Sequence, residues 1–294
     1  MLRARSSHRA WGLALALAGC SVSPPVLDEV VSFTPPRTAA SVGSSAPAPS
    51  AAASPATPPR APAPTLPAGD TVTLDDLVAA LAAIALAMEA EPTVRADFDA
   101  LRESFALPDD PALYRDYVRV KLVFESARDG GLWQIQWRIT NREPRSDAIW
   151  TQWQGLTDAP GDDATASAEC DELSALFAFL VRRLGVENVG LFWPVWNHVV
   201  AVWTVADRDG APVRIVVPTS QIFLDDAQSL GTRGFDPGKQ KTIYEYRRRD
   251  AKPTLALPAA LARFLVERSW ADAHRPQAEL QRERNERSAR IGGS

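Results

Sequence analysis

The stretch from Ser167 to Val205 constrains the fold of this chain more than any other part of its sequence. Its first half has apolar residues at helical spacing, and Gly185 ends that pattern. Two runs rich in Val and aromatic residues follow at 189–192 and 198–205, and a third run at 213–217 comes after a polar turn. The order predicts one buried helix followed by antiparallel strands. The helical stripe consists of Leu173, Leu176, Phe177, Leu180 and Leu184.

Two residues with reactive side chains stand where these elements begin. Ser167 is the predicted N-cap of the helix, which puts Cys170 in the first turn. Unpaired backbone N–H groups and the helix dipole favour a thiolate there, so this position predicts a lowered cysteine pKa. His198 opens the second strand, and strand alternation puts His198, Val200 and Val202 on one face.

The other histidines compete poorly as partners of the thiol, because His8 and His274 lie near the two ends of the chain. An imidazole partner of Cys170 is therefore predicted to be His198. The alternative is an inert buried thiol on a core helix beside a strand histidine that is satisfied by backbone groups.

Residues 1–19 are predicted to be an export signal, since a basic head precedes a short apolar core and small residues before Cys20. This arrangement resembles the lipobox of bacterial lipoproteins. The resemblance implies cleavage before Cys20 and its lipidation, and therefore a protein anchored by lipid in the bacterial cell envelope. Ser21, rather than Asp, suggests the outer membrane. The basic head contains Arg3, Arg5 and Arg9.

The cysteine count follows from this prediction. The chain has two cysteines, and lipid on Cys20 leaves Cys170 as the only thiol, with no disulfide. The formal net charge of −4 argues against nucleic acid as a partner. The sequence shows neither a metal-ligand cluster nor a phosphate-binding glycine loop, so no cofactor is predicted.

The sequence divides into four segments. After the signal, residues 20–69 are rich in Pro, Ala and Ser, and they are predicted to form a disordered tether. Residues 70–274 are predicted to be one domain, and 275–294 a polar disordered tail. Within the domain, the first predicted helix has a capping-box-like start at Thr73 and reaches Met88. Further helices are predicted from Val94 to Phe105, from near Pro111, and from Pro258.

Tryptophans are numerous before the central stretch. Trp133, Ile135, Trp137 and Ile139 fit either a strand or a helix, and the helix is preferred here. Core packing is the default role of such residues, and a groove that stacks sugars or peptides is the alternative.

The helix that begins with Cys and the strand that begins with His resemble the transglutaminase-like branch of the papain-like cysteine hydrolases. The likeness is carried by three segments, 169–173, 197–203 and 217–219. It implies an α+β fold in which a helical N-terminal part packs on an antiparallel sheet. It also implies a Cys170 nucleophile with a His198 base, which transfer an acyl group from an amide to water or an amine.

The resemblance leaves the rest of the site open. Val217 stands where family members usually have an acid that orients the histidine. The substitutes within reach of that strand end are Thr219, Ser220, Gln221 and, less locally, Asp225; Gln221 or Asn197 could supply an amide in this role. Candidate oxyanion or substrate residues are Trp150, Gln152, Gln154, Trp196 and Asn197. The expected substrates are peptides, proteins or peptidoglycan. The rival hypothesis is an inactive module of the same fold that binds a peptide or glycan in the envelope.

Overall fold

The computed structural model describes residues 62–139, 145–158, 160–195, 198–220, 243–244 and 255–292. The predicted signal, Cys20 and most of the tether lie outside these residues. Among the described residues, no single helix has the length and hydropathy to cross a membrane, although the first two helices, bent by 84°, meet the same criterion as a pair.

The N-terminal part is helical, as predicted. α1 spans Leu74–Met88, α2 spans Pro92–Ser104 and α3 spans Pro111–Ala127. Thr73 and Asp76 cap α1 reciprocally, while proline occupies the first position of α2 and α3, where no intrahelical N–H is needed. α3 packs against both α1 and α5, the helix Cys170–Arg183.

A four-stranded antiparallel sheet follows α5, which confirms the strands predicted from 189 to 217. The strands are β4 (Val189–Val195), β5 (His198–Ala206), β6 (Pro212–Val217) and β7 (Ile243–Tyr244), in the order β6-β5-β4-β7.

The faces of this sheet follow the predicted alternation. Ala201, Trp203 and Val205 of β5 belong to the main core with α5. Val200 and Val202 form a separate buried cluster with Phe192 and Val216.

The segment 133–139 contains a strand rather than the predicted helix. β2 (Ile135–Trp137) pairs in parallel with β3 (Ala166–Ala168). Gln134 has a φ of 56°, a left-handed conformation that no α-helix continues through. The chain enters this strand through a tight turn at Gly131, where a Cβ would lie 2.6 Å from the Glu125 carbonyl oxygen.

The C-terminal segment is helical where the sequence predicted a disordered tail. After β8 (Ala256–Pro258), which pairs with β1 (Thr71–Thr73), α6 spans Ala259–Asp272 and α7 spans Gln277–Gly292. Leu280 and Arg284 of α7 are buried. The charged composition hid this inward face, because Arg284 lies 3.7 Å from the Asp129 carboxylate instead of facing water.

Helix α4 (Ala148–Gln154) completes the described elements and contributes to a tryptophan core. Trp150 and Trp153 pack edge to face with ring centroids 5.3 Å apart, and Trp133 lies 5.7 Å from Trp153. All three are fully buried. Core packing therefore accounts for these tryptophans, and the described architecture is α+β.

Candidate cysteine–histidine site

Cys170 is the first residue of α5, two positions earlier in the helix than the sequence predicted. Glu169, not Ser167, is the N-cap, and its backbone N–H donates to Glu172 Oε2 at 3.0 Å. Ser167 belongs to β3, where the Gln152 side chain already occupies both of its backbone polar groups. The capping prediction failed because that long-range contact gives Ser167 another role.

The sulfur of Cys170 lies against the beginning of β5. The backbone N–H of Val199 is close enough to the thiol to favour its ionised form and so to lower its pKa. The β4–β5 pairing is irregular between Phe192 and Val195, on the strand opposite Val199. Its carbonyl oxygen accepts the Ser174 hydroxyl at 3.3 Å, so both of its backbone polar groups contact the first two turns of α5.

The pKa of Cys170 is displaced in the direction opposite to the predicted one. Burial raises the pKa of this thiol, whose residue is 7% exposed, and the Asp171 carboxylate adds to the increase. The Val199 N–H and first-turn N–H groups oppose that shift without reversing it. The thiol is therefore protonated at neutral pH.

His198 adjoins Val199 in the chain and is 3% exposed. Burial lowers the pKa of its imidazole to about 4, so the ring is neutral at pH 7. At pH 7 the thiol of Cys170 and the imidazole of His198 are therefore both neutral, and they do not form a thiolate–imidazolium pair.

The positions proposed for a third site residue have well-defined surroundings. Val217 is fully buried in the core. The Thr219 hydroxyl lies 2.8 Å from the Ser174 hydroxyl, and the Thr219 carbonyl accepts the Asp129 N–H at 2.8 Å. Thr219 is thus joined to α5 one turn beyond Cys170. Gln221, the other substitute, lies outside the described residues, as do Trp196 and Asn197.

The three candidates on α4 have different surroundings. Trp150 packs edge to face on Phe179, with the two ring centroids 5.7 Å apart. Phe179 follows Cys170 by nine residues, which is about 13 Å along a helix. Gln152 Nε2 donates to the carbonyls of Ala148 and Ser167 at 3.1 and 2.9 Å. Gln154 Nε2 donates to the Ala256 carbonyl at 3.3 Å. All three side chains therefore make contacts away from the sulfur.

Sequence reasoning missed Ser174 and the Val199 backbone as members of this site. Ser174 follows Cys170 by four residues, so the two side chains share a helix face, and this spacing was a usable signal. Val199 takes part through its backbone groups, which leave no side-chain pattern in the sequence.

Among the described residues, no group of three His, Cys, Asp or Glu side chains is placed to hold a metal ion. In comparisons with models of protein families, with curated proteins and with solved structures, none matches this chain.

Proposed function

We propose that this chain is a cell-envelope lipoprotein whose transglutaminase-like, papain-type domain cleaves or transfers amide-linked acyl groups through Cys170 and His198. The observation that carries the proposal is the position of the thiol. Cys170 opens a buried helix, and the N–H of Val199, the residue that follows His198, favours the ionised form of its thiol.

The chemistry starts from the neutral pair. As Cys170 Sγ attacks the carbonyl carbon, its proton passes to the His198 imidazole, and a tetrahedral oxyanion forms. Backbone N–H groups at the start of α5 are suited to stabilise that oxyanion. The imidazolium then gives its proton to the leaving amine, and a thioester is left on Cys170. Water or a second amine resolves the thioester and regenerates the thiol.

A neutral Cys170 thiol and a neutral His198 imidazole suit a site that reacts only when a substrate is bound. Because the thiol pKa is raised and the imidazole pKa is lowered, proton transfer is unfavourable before a substrate carbonyl accepts the sulfur electrons. Such a site resists alkylation and oxidation between turnovers.

The location is part of the same proposal. A lipid on Cys20 would anchor the protein at the outer membrane, and the Pro-, Ala- and Ser-rich composition of the residues after it suits a tether. Envelope peptides, proteins and the peptide part of peptidoglycan would then be the accessible amides.

A second candidate function is a binding module that has lost catalysis. Two observations favour it: burial raises the pKa of the thiol, and the Thr219 hydroxyl is bonded to Ser174. In this case the domain would hold a peptide or glycan without reacting with it.

The two functions are separated by comparing acylation with alkylation of the full-length chain carrying Cys20→Ser, in which Cys170 is the only thiol. p-Nitrophenyl acetate reports acyl transfer through nitrophenolate release, and iodoacetamide reports thiolate exposure. For an enzyme, folding speeds acylation but slows alkylation, relative to the same chain in urea. His198→Gln then slows acylation by about 10²–10⁴-fold.

His274→Gln is the matched control and leaves both rates unchanged. If folding slows both reagents alike and His198→Gln changes neither rate, the enzyme is excluded and the binding module is supported. Mass spectrometry of Cys170 identifies the adduct in each case.

A further inference from the structure

A groove lies between α4 and the edge of β3 that β2 does not cover, in the segment that precedes Cys170. Its volume is about 450 Å³, within the range of ligand-binding clefts. One wall comes from α4 and the turn after it, through Thr151, Gln152 and Leu156, and the other is the segment 164–167. None of the lining residues is charged. The groove therefore suits a neutral, extended ligand.

The backbone of Ser167 faces this groove. β2 pairs with one side of β3, and on the other side the N–H and C=O of Ser167 point toward α4. The Gln152 amide occupies both groups: Ser167 N–H donates to Oε1 at 3.0 Å, and Nε2 donates to the Ser167 carbonyl at 2.9 Å. One N–H and one C=O exchanged with one residue is the pattern of a hydrogen-bonded antiparallel strand pair.

We propose that an extended peptide binds in this groove by pairing with Ser167 in place of the Gln152 amide. The proposal deepens the function proposed above and rests on it for the identity of the reaction. Ser167 precedes Cys170 by three residues, or about 10 Å of extended chain. A peptide paired with Ser167 thus has its scissile amide about three residues away from the paired position.

Replacement of the Gln152 amide by the peptide leaves the number of hydrogen bonds to Ser167 unchanged. The peptide supplies one N–H and one C=O to Ser167, and the displaced Gln152 amide becomes free to bind a second peptide group. Because each new bond replaces an existing one, affinity comes mainly from the remaining groove contacts. Gln152 acts as an internal competitor of the peptide.

If Gln152 competes with the peptide, replacing it should increase the affinity for the peptide. Gln152→Ala removes the competitor and is expected to tighten peptide binding by roughly 3–10-fold. If Gln152 only fixes β3 in place, the same substitution weakens binding or leaves it unchanged. Gln154→Ala is the matched control, since Gln154 is on the same helix but bonds to the Ala256 carbonyl.

The experiment uses the full-length chain with Cys170→Ser, so that binding is measured without reaction. The probe is acetyl-Ala-Thr-Ala-Val-Ala-amide, titrated while the amide resonances of Ser167 and Gln152 are followed by NMR. A second peptide, N-methylated at the central alanine, lacks one main-chain donor. We expect the first peptide to shift both resonances and the N-methylated peptide to bind at least about 10-fold more weakly.

The proposal is overturned if the Ser167 resonance does not respond to the peptide, or if both peptides bind equally. Should Gln152→Ala fail to fold, the comparison of the two peptides on the Cys170→Ser chain decides alone. The outcome is separable from the proposed function: peptide binding without acylation of Cys170 rejects the enzyme and keeps the groove. Acylation without peptide binding does the reverse.

Discussion

The two ends of α5 bury different kinds of groups. From Ala175 to Val181 every side chain is apolar and buried in the main core, where Phe179 packs against Trp150. At the first turns, Cys170 and Ser174 instead contact the backbone of Val199 and the hydroxyl of Thr219. One helix thus combines a structural segment, whose loss should unfold the domain, with a polar end whose changes should mainly alter chemistry.

The largest expected effect is in the structural segment. Phe177→Ala removes a fully buried ring and should lower the free energy of unfolding by about 3–5 kcal/mol. Urea denaturation measures the loss. Leu86→Ala, at a position 68% exposed on α1, is the control and should change stability by less than about 0.5 kcal/mol. Equal losses of stability for the two variants would contradict the role of Phe177 as part of a structural segment of α5.

The next effect concerns His198 and depends on pH. Its folded pKa of about 4 lies below the ordinary 6.5, so the folded protein binds this proton more weakly than the unfolded chain does. The contribution of neutral His198 to the free energy of unfolding is fully present above pH 6.5, and it is lost as the pH falls toward 4. At pH 5 the loss should be about 2 kcal/mol.

Urea denaturation at pH 5 and pH 8 tests this dependence as the difference between the wild type and His198→Gln. The glutamine variant should show a shallower decline of stability with acid than the wild type. Parallel pH profiles for the two proteins would mean that His198 is more exposed to solvent than the fold indicates.

A smaller effect on stability is expected at the hydroxyl pair formed by Ser174 and Thr219. Ser174→Ala leaves the buried Thr219 hydroxyl without its partner at 2.8 Å and should cost about 1–2 kcal/mol. Replacing both residues, with Ser174→Ala and Thr219→Val, should recover most of that cost because neither buried hydroxyl is then left unpaired. A double-mutant cycle measures the coupling, and additive losses would show that the two hydroxyls do not interact.

The smallest effect is expected at the exposed end of α5. Arg183 pairs with Asp75 of α1, and both side chains are substantially exposed to solvent. The coupling energy from Asp75→Ala and Arg183→Ala should be below about 0.5 kcal/mol and should vanish in 1 M salt. A coupling as large as that of the hydroxyl pair would contradict the low value expected for an exposed ion pair.

The apolar part of this comparison could be predicted from sequence. Helical spacing from Leu173 to Leu184 and the β-branched runs at 189–217 each follow from local periodicity. The position of Cys170 in the first turn was predicted from Ser167 as the N-cap, and it is confirmed although Glu169 is the N-cap. Local periodicity failed at 133–139, because a left-handed Gln134 and a tight turn at Gly131 override it.

The polar part could not be predicted in the same way. The sign of the Cys170 pKa shift depends on how deeply the thiol is buried, and the sequence indicated only its place in the helix. Ser167 was expected to cap α5, but a side chain from another helix takes its backbone groups. Arg284 gave no local sign of burial, since its inward position depends on Asp129, far away in the chain.

The interaction of the Val199 N–H with the Cys170 sulfur also makes the start of β5 a reporter of the state of that sulfur. A thioester sulfur is a weaker acceptor than a thiol or thiolate. If Cys170 is acylated as proposed, this interaction should weaken and the amide proton of Val199 should exchange faster. A covalent change at one atom would thereby alter the local rigidity of the residue next to His198.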